Sequence, residues 1–505
     1  MFSVYGTSSR LRRSRGRTPL SWLTFPRPWL LGPAAALALA VSACTASAPA
    51  GPGQAGAGRA ATSAVTVNAG VSYQQIAGFG ASEAFGQAQA LRQAPPALQQ
   101  KALSLLYSPV SGAGLTILRN EISADSGTTI EPTAPASPGA KPAYLPLSAV
   151  ADDQGQLWLA QTIRKQYGVT NVFADAWSAP AFMKTNKSAI NGGTLCGVPG
   201  ATCASGDWRQ AYANYLVQYA KDYAAAGIPL SYVGPENEAD LSRPYDTMLL
   251  SPEQNADFLH YFGPALARSG TGAKVDCCAS QGWDRAQQYA DAIEADPAAS
   301  AATALFTSHG YTQAPASPLG KWTKPVWQTE WSTFEAWDPA WDDGSPASGF
   351  TWAQQIYFGL SAANLNAFLY WWGSTTPTEN GDNEGLLLLD TAARTVTPSG
   401  RLWAFANYSR FVRPGAVRIG ASTADRALEA LAFRNTDGSV AVVVLNTAAT
   451  ARSATFATGG AGQAVPYVTD AAHDTAAQPP VPVTHGSFSA TLPARSLVTF
   501  VLAAH

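Results

Sequence analysis

Two short runs in the 505-residue chain place a carboxylate directly behind an apolar, strand-forming stretch. They are Val233-Gly234-Pro235-Glu236-Asn237-Glu238 and Val326-Trp327-Gln328-Thr329-Glu330-Trp331. If both runs reach one rim, Glu238 and Glu330 form a pair suited to glycosidic bonds. Hydrolysis with retention needs two carboxyl groups about 5–5.5 Å apart: one attacks the sugar carbon, the other protonates the leaving oxygen and then activates water. The alternative is a pair of rim acids in surface salt bridges. The neighbours suit the catalytic reading. Arg119 ends another apolar run and would hold Glu330 ionised, because a nearby cation lowers a carboxylate pKa. Asn237 would hydrogen-bond a sugar hydroxyl beside the scissile bond. Tyr311, two residues after His309, is a candidate either to bind the nucleophile or to pack. Trp177, Trp283, Trp331, Trp371 and Trp372 offer rings to the C–H faces of a saccharide, and Asn120 and Gln328 offer amides to its hydroxyls. Consecutive strand residues face opposite ways, so only one of Trp371 and Trp372 is expected at the cleft.

Rival chemistries find little material. Gly80-Ala81-Ser82-Glu83-Ala84 lacks the second glycine of a nucleophile elbow. There is no Walker A loop, no H-E-x-x-H, and only 5 His in the chain. No His stands at ligand spacing from the cysteines, so neither a metal nor another cofactor is expected. Charged residues make up 13% of the chain, 32 Lys+Arg against 34 Asp+Glu. Such a balance lacks the basic stripe that neutralises phosphates and excludes an electrostatic nucleic-acid binder.

Something must carry both acids to one rim. From Tyr73 onward short apolar runs alternate with helical stretches, the pattern of a βα-repeat fold. Strands are expected over 75–79, 115–119, 171–176, 231–234, 274–277, 304–308, 325–329 and 366–371. Eight of them suit a (β/α)8 TIM barrel, whose working residues stand at the C-terminal strand ends. The clearest helix is 207–226, with Asp207 as N-cap and Trp208, Tyr212, Tyr215, Tyr219 and Tyr223 on one face, a stripe that reads as core. After about Gly400 the period changes. Runs 427–434 and 440–445 flank the hairpin signal Asn435-Thr436-Asp437-Gly438, and 487–492 and 496–502 continue the alternation. These predict a barrel over 75–400 and a packed β-sandwich side domain over 401–505, joined by an N-terminal strand over 64–74.

Arg10, Arg12, Arg13, Arg15 and Arg17 precede an apolar stretch from Trp29 to Ala43 that ends in small residues. Residues 1–43 therefore read as an export signal. Val41-Ser42-Ala43-Cys44 resembles a bacterial lipobox, in which Cys44 would be lipidated and anchor the chain to the outer face of the cell membrane. Ordinary cleavage with free secretion is the alternative. Residues 44–63 are, after Cys44, Ala, Gly, Pro, Ser and Thr with one Gln and one Arg, a flexible tether. Cys196 and Cys203 bracket a short loop suited to a disulfide in an oxidising compartment. That leaves Cys277 and Cys278 as a vicinal pair or as two buried thiols. The exported protein is expected to be a monomer.

Several longer motifs are specific. They are Ile76-Ala77-Gly78-Phe79-Gly80-Ala81-Ser82-Glu83-Ala84-Phe85, Gly114-Leu115-Thr116-Ile117-Leu118-Arg119-Asn120, Ala176-Trp177-Ser178-Ala179-Pro180, Asn237-Glu238, Trp327-Gln328-Thr329-Glu330, and Tyr408-Ser409-Arg410-Phe411-Val412-Arg413-Pro414-Gly415. Together they resemble glycoside hydrolase family 30. The resemblance implies the barrel with its β-sandwich, an O-glycosyl hydrolase with Glu330 as nucleophile and Glu238 as acid/base, and no cofactor. Leu195-Cys196-Gly197, residues 203–215, and Cys277-Cys278 before Gly282-Trp283 are similar to the fungal-type xylan-active members, glucuronoxylanases and xylobiose-releasing enzymes. That similarity implies β-1,4-xylan of the plant cell wall as partner. β-1,6-galactan or β-1,6-glucan is the alternative on the same fold, and a binding protein without catalysis is a second. Two positions depart from the pattern. Where glucuronate-dependent relatives carry an Arg, this chain has Gly86-Gln87-Ala88. Glu236 precedes the Asn-Glu pair, and on a continuing strand it would share a face with Glu238 and raise its pKa by like-charge repulsion.

Overall fold

A computed structural model describes residues 63–377 and 382–504. The expected export signal, Cys44 and the tether to residue 62 lie outside the described residues. The first strand, β1 (Ser63–Gln75), belongs to the side domain. The barrel follows as β2 (Gly78–Ser82), β3 (Ile117–Ile122), β4 (Asn171–Ala176), β5 (Tyr232–Gly234), β6 (Lys274–Ser280), β7 (Thr303–His309), β8 (Val326–Glu330) and β9 (Ala367–Thr375). These pair in parallel in chain order, and β9 bonds to both β8 and β2, which closes the ring. The first barrel strand starts three residues later than the run 75–79 because Gln75 pairs with Val417 in the side domain.

Side chains alternate across each strand, and that period layers the barrel interior. Ile117, Phe173, Leu305, Trp327, Ala367 and Leu369 fill a floor, with Trp327 edge-on to Phe173 at 5.6 Å and to Tyr232 at 5.3 Å. Two residues further along the same strands stand Arg119, Asp175 and Thr307, all buried. The apolar floor closes one end and the polar layer supports the other.

The long helix is Arg209–Ala225, and its N-cap is Trp208 rather than Asp207. Asp207 accepts the Arg209 N–H at 3.0 Å and pairs with its guanidinium, so it braces the first turn from outside the cap. The tyrosine stripe is core with polar tips. Tyr212 donates to the Pro235 carbonyl at 2.5 Å, Tyr215 to the Ser123 carbonyl at 2.7 Å, and Tyr219 and Tyr223 both to Asp153.

The residue-400 boundary falls at the start of a helix, Gly400–Ser409, which packs against barrel and side domain alike. The tail strands begin with Val417–Thr423 and end with Ser496–Leu502. Ten strands, β1 among them, form one sheet, which curls over on itself. Phe456 stacks on Phe488 at 4.8 Å and meets Phe500, far along the strand order, at 4.7 Å. That closure makes the β-sandwich, with Val65 of β1 in its core. Among the described residues no helix is long and apolar enough to cross a membrane.

Candidate active site

Glu330 ends β8 and reaches the interior through an irregularity. Ser308 pairs with Gln328 and His309 with Glu330, so Thr329 is an extra residue on that strand. Strict alternation from Trp327 would turn Glu330 outward; the bulge at Thr329 turns it in, as bulges beside functional sites do. Glu238 stands beyond the end of β5. It has φ 48°, in the left-handed region, and its N–H donates to the Ala279 carbonyl at 2.8 Å. A non-glycine residue held there is costly, about 1–3 kcal/mol, and persists only where its surroundings fix it.

The two carboxyl groups meet around His309. One oxygen of each and a ring nitrogen of His309 lie within 4.8 Å of one another. His309 Nδ1 is 3.2 Å from Glu238 Oε1, and its Nε2 is 3.7 Å from Glu330 Oε2. Arg119 Nη1 donates to Glu330 Oε2, its Nη2 to Asn237 Oδ1 at 2.6 Å, and its Nε to Asp175 Oδ2 at 2.6 Å. Tyr311 donates its hydroxyl to Glu330 Oε1 at 2.8 Å. Both Glu330 oxygens are thus held, while Glu238 has one imidazole neighbour.

These environments separate the two acids. Burial, then the charges of Glu330 and Asp240, push the Glu238 carboxyl well above the usual range. Burial also pushes Glu330 up, but Arg119 and the hydrogen bonds from Arg119 and Tyr311 oppose it. Burial, then the Arg119 charge, drives His309 well down, so the imidazole is neutral. Glu238 therefore holds its proton more firmly than Glu330 does, the ordering a proton donor and a nucleophile require. Glu236 has no part in this. The strand stops at Gly234, Glu236 lies buried with Oε1 3.7 Å from Cys277 Sγ, and the acids that raise Glu238 are Glu330 and Asp240.

An aromatic wall stands beside the pair. Trp177 lies under the Arg119 guanidinium at 4.6 Å and meets Trp371 at 5.8 Å. Trp371 and Trp372 both join it, stacked at 5.1 Å, instead of facing opposite ways. The pairing of β2 with β9 explains this: Ala81 opposes Tyr370 and Ser82 opposes Trp372, leaving a bulge at Trp371.

Three candidates fall elsewhere. Asn120, next to Arg119, faces outward by alternation and donates to the Tyr223 hydroxyl at 3.0 Å. Trp283 is spent on Gln328, its indole N–H 2.7 Å from Oε1, behind the site. Trp331 packs edge-on to Trp352 at 5.1 Å, between barrel and helix. Four residues near the pair escaped the sequence reading. Asp175 was signalled only by an acid inside an apolar strand. Phe85, 37% exposed, caps Trp177 at 5.5 Å and Tyr245 at 6.3 Å, and Phe334, 60% exposed, stacks on Tyr311 at 5.6 Å. Exposed aromatic rings in loops had no pattern to betray them.

Cys196 and Cys203 form a disulfide, and Cys277 is bonded to Cys278. The latter pair stands beside Glu236 but offers no thiolate to a metal.

Comparison with known proteins bears out the fold. Residues 76–325 match the glycosyl hydrolase family 30 TIM-barrel domain, and residues 415–500 match the family 30 beta sandwich domain. The catalytic domain of family 30 xylanase C from Talaromyces cellulolyticus is 42% identical, with a TM-score of 0.81 over 87% of this chain and 100% of that one. Mouse lysosomal acid glucosylceramidase is 26% identical over 309 residues, 57% of this chain and 58% of that enzyme. An endo-1,6-beta-D-glucanase from Neurospora crassa is 25% identical over 418 residues, 74% of this chain and 78% of that one. The chain spans a little under three fifths of the length of the glucosylceramidases it matches first.

Proposed function

The chain belongs to glycoside hydrolase family 30, and from that premise we propose that it is a retaining glycosidase of β-1,4-xylan with Glu330 as nucleophile and Glu238 as acid/base. The observation that carries the mechanism is the pair of carboxyl oxygens within 4.8 Å in opposed environments. An inverting pair stands about 6.5–9.5 Å apart to admit water between its members.

In the first step a Glu330 oxygen bonds to the anomeric carbon while the glycosidic C–O bond breaks and Glu238 gives its proton to the leaving oxygen. Arg119 and Tyr311 aim the attacking carboxylate, and Asn237, fixed by Arg119, presents its amide to the sugar. In the second step Glu238, now ionised, takes a proton from water, which attacks the same carbon and frees Glu330. Loss of the Glu330 negative charge in the covalent intermediate lowers the pKa of Glu238 and suits it to act as base.

Xylan is favoured by the 42% identity to a xylanase across 87% of the chain. Gly86-Gln87 leaves no guanidinium to pair a glucuronate bidentately, so branches of that kind are not required. β-1,6-Glucan is the second reading, supported by the Neurospora relative. Export of the chain is proposed with it, since both cysteine pairs are oxidised. The test is digestion of glucuronoxylan, arabinoxylan and β-1,6-glucan with product masses read for each. Neutral xylo-oligosaccharides are expected, and Glu330→Gln should lose roughly 10⁶-fold in kcat, as removal of an enzymic nucleophile does elsewhere. Products from β-1,6-glucan alone overturn the xylan reading and keep the mechanism.

A further inference from the structure

A cavity of about 330 Å³ lies on the same rim, between the loops that follow β3 and β4. The loop after β3 contributes Asp125, Thr129 and Glu131, and the loop after β4 contributes Phe182, Lys187 and Ser188. Its volume is at the small end of ligand pockets, about 300–1,000 Å³, enough for one or two sugar rings.

The walls are fixed. Thr129 shares a hydrogen bond of 2.9 Å with Tyr215, a buried member of the tyrosine stripe, and accepts the Glu131 N–H at 3.2 Å. Phe182 meets Trp208 edge-on at 5.2 Å. The cavity is also tied to the catalytic pair. Asp246 lies in the loop that leaves Glu238, and its Oδ2 accepts the N–H groups of Ala124 and Asp125 at 2.9 and 3.0 Å.

One wall residue is unexplained by folding. Glu131 is 1% exposed, yet its Oε2 has no hydrogen-bond partner. Buried polar atoms without partners are rare and costly, and a turn of the side chain toward the cavity would let a sugar hydroxyl satisfy this one. Asp125 and Lys187 line the same cavity with opposite charges, so neither an anionic nor a cationic guest is favoured and a neutral polyol is the right partner. We propose that this cavity binds a neutral, pentose-sized sugar unit of the polysaccharide, remote from the scissile bond, with Glu131 as its polar anchor. The proposal rests on the glycan reading above.

Such a unit would be a distal backbone residue or a side branch, and binding distinguishes them. The full chain carrying Glu330→Gln is titrated calorimetrically with xylotriose, with xylohexaose, and with xylotriose bearing one α-L-arabinofuranosyl branch. At least one of the larger probes should bind roughly tenfold tighter than xylotriose, and Ser126→Trp or Ala181→Trp, which fill the cavity from either loop, should remove that advantage. A gain confined to xylohexaose assigns a backbone unit, and one confined to the branched probe assigns a side branch. Equal binding of all three probes, or an advantage that survives both fillings in folded protein, overturns the cavity assignment and leaves the xylan reading standing. If none of the probes binds and the unsubstituted chain cleaves only β-1,6-glucan, the xylan reading fails and the assignment with it.

Discussion

The floor and the rim of the barrel come from the same strands, two residues apart, and they follow different rules. On the floor Ile117, Phe173, Leu305, Trp327 and Leu369 make one apolar contact set. On the rim alternation breaks at Thr329, at Trp371 and between Cys277 and Ser280, and Glu238, Ala279 and Phe85 sit in the left-handed region. Buried acids crowd together above the floor, where burial and then the Asp175 charge push Asp276 well above the usual carboxylate range. The floor is what a sequence adopts when only packing is at stake. The rim is held against local preference, which is expected where strain and burial serve a reaction.

If that contrast is right, substitutions on the rim cost turnover and substitutions on the floor cost stability. After the loss already expected of Glu330→Gln, the largest effect belongs to Glu238→Gln, which keeps size and removes the transferable proton. Its kcat on xylan should fall about 10²–10⁴-fold, and far less on an aryl xyloside whose leaving group needs no proton. Equal losses on both substrates would remove Glu238 from the role of acid. Next is Trp327→Ala on the floor, which should lower stability by about 3–5 kcal/mol with kcat changed only a few-fold below the melting range. A loss of turnover without loss of stability would erase the distinction between the layers. Tyr311→Phe is smaller. It deletes one hydrogen bond to a charged carboxylate, worth about 1.5–3 kcal/mol, and should appear in kcat with Tm nearly unchanged.

The same contrast explains what could be read from the sequence. Barrel, sandwich and the meeting of two acids follow from strand count, hairpin chemistry and the position of Glu238 and Glu330 behind apolar runs. Periodicity also puts Arg119 inward with Ile117, because β3 runs straight. It fails at the strand tips. A bulge adds one residue without altering composition, so pairing partners alone reveal why Trp371 and Trp372 share a face. Asn120 and Trp283 have the right chemistry for sugar binding, but alternation and the Gln328 hydrogen bond commit them elsewhere. Glu236 and Glu238 alternate correctly on paper, but the strand has already ended.

The smallest of these effects tests the rim's buried acids as a set. Glu83 sits behind the tryptophan wall, where Oε1 accepts the Ser374 N–H at 2.7 Å and Oε2 accepts its hydroxyl at 2.8 Å. Glu121 accepts the N–H of Phe85 at 3.0 Å and so fixes that left-handed residue. Burial pushes each carboxyl up to about 8, against the hydrogen bonds that Ser374 and Phe85 supply. A carboxyl whose folded pKa lies above its unfolded value binds its proton more tightly in the native state. Its contribution to stability is whole below about 4.5, the ordinary carboxylate value, and is lost as pH rises through about 8. The protein should therefore melt several degrees higher at pH 5 than at pH 8. Glu83→Gln, which cannot titrate and keeps a carbonyl for the Ser374 N–H, should flatten part of that slope. A Tm constant from pH 5 to 8 would mean that both acids are ionised in the folded state. The rim would then hold its charge through solvation rather than by excluding water, and the contrast with the floor would be one of composition alone.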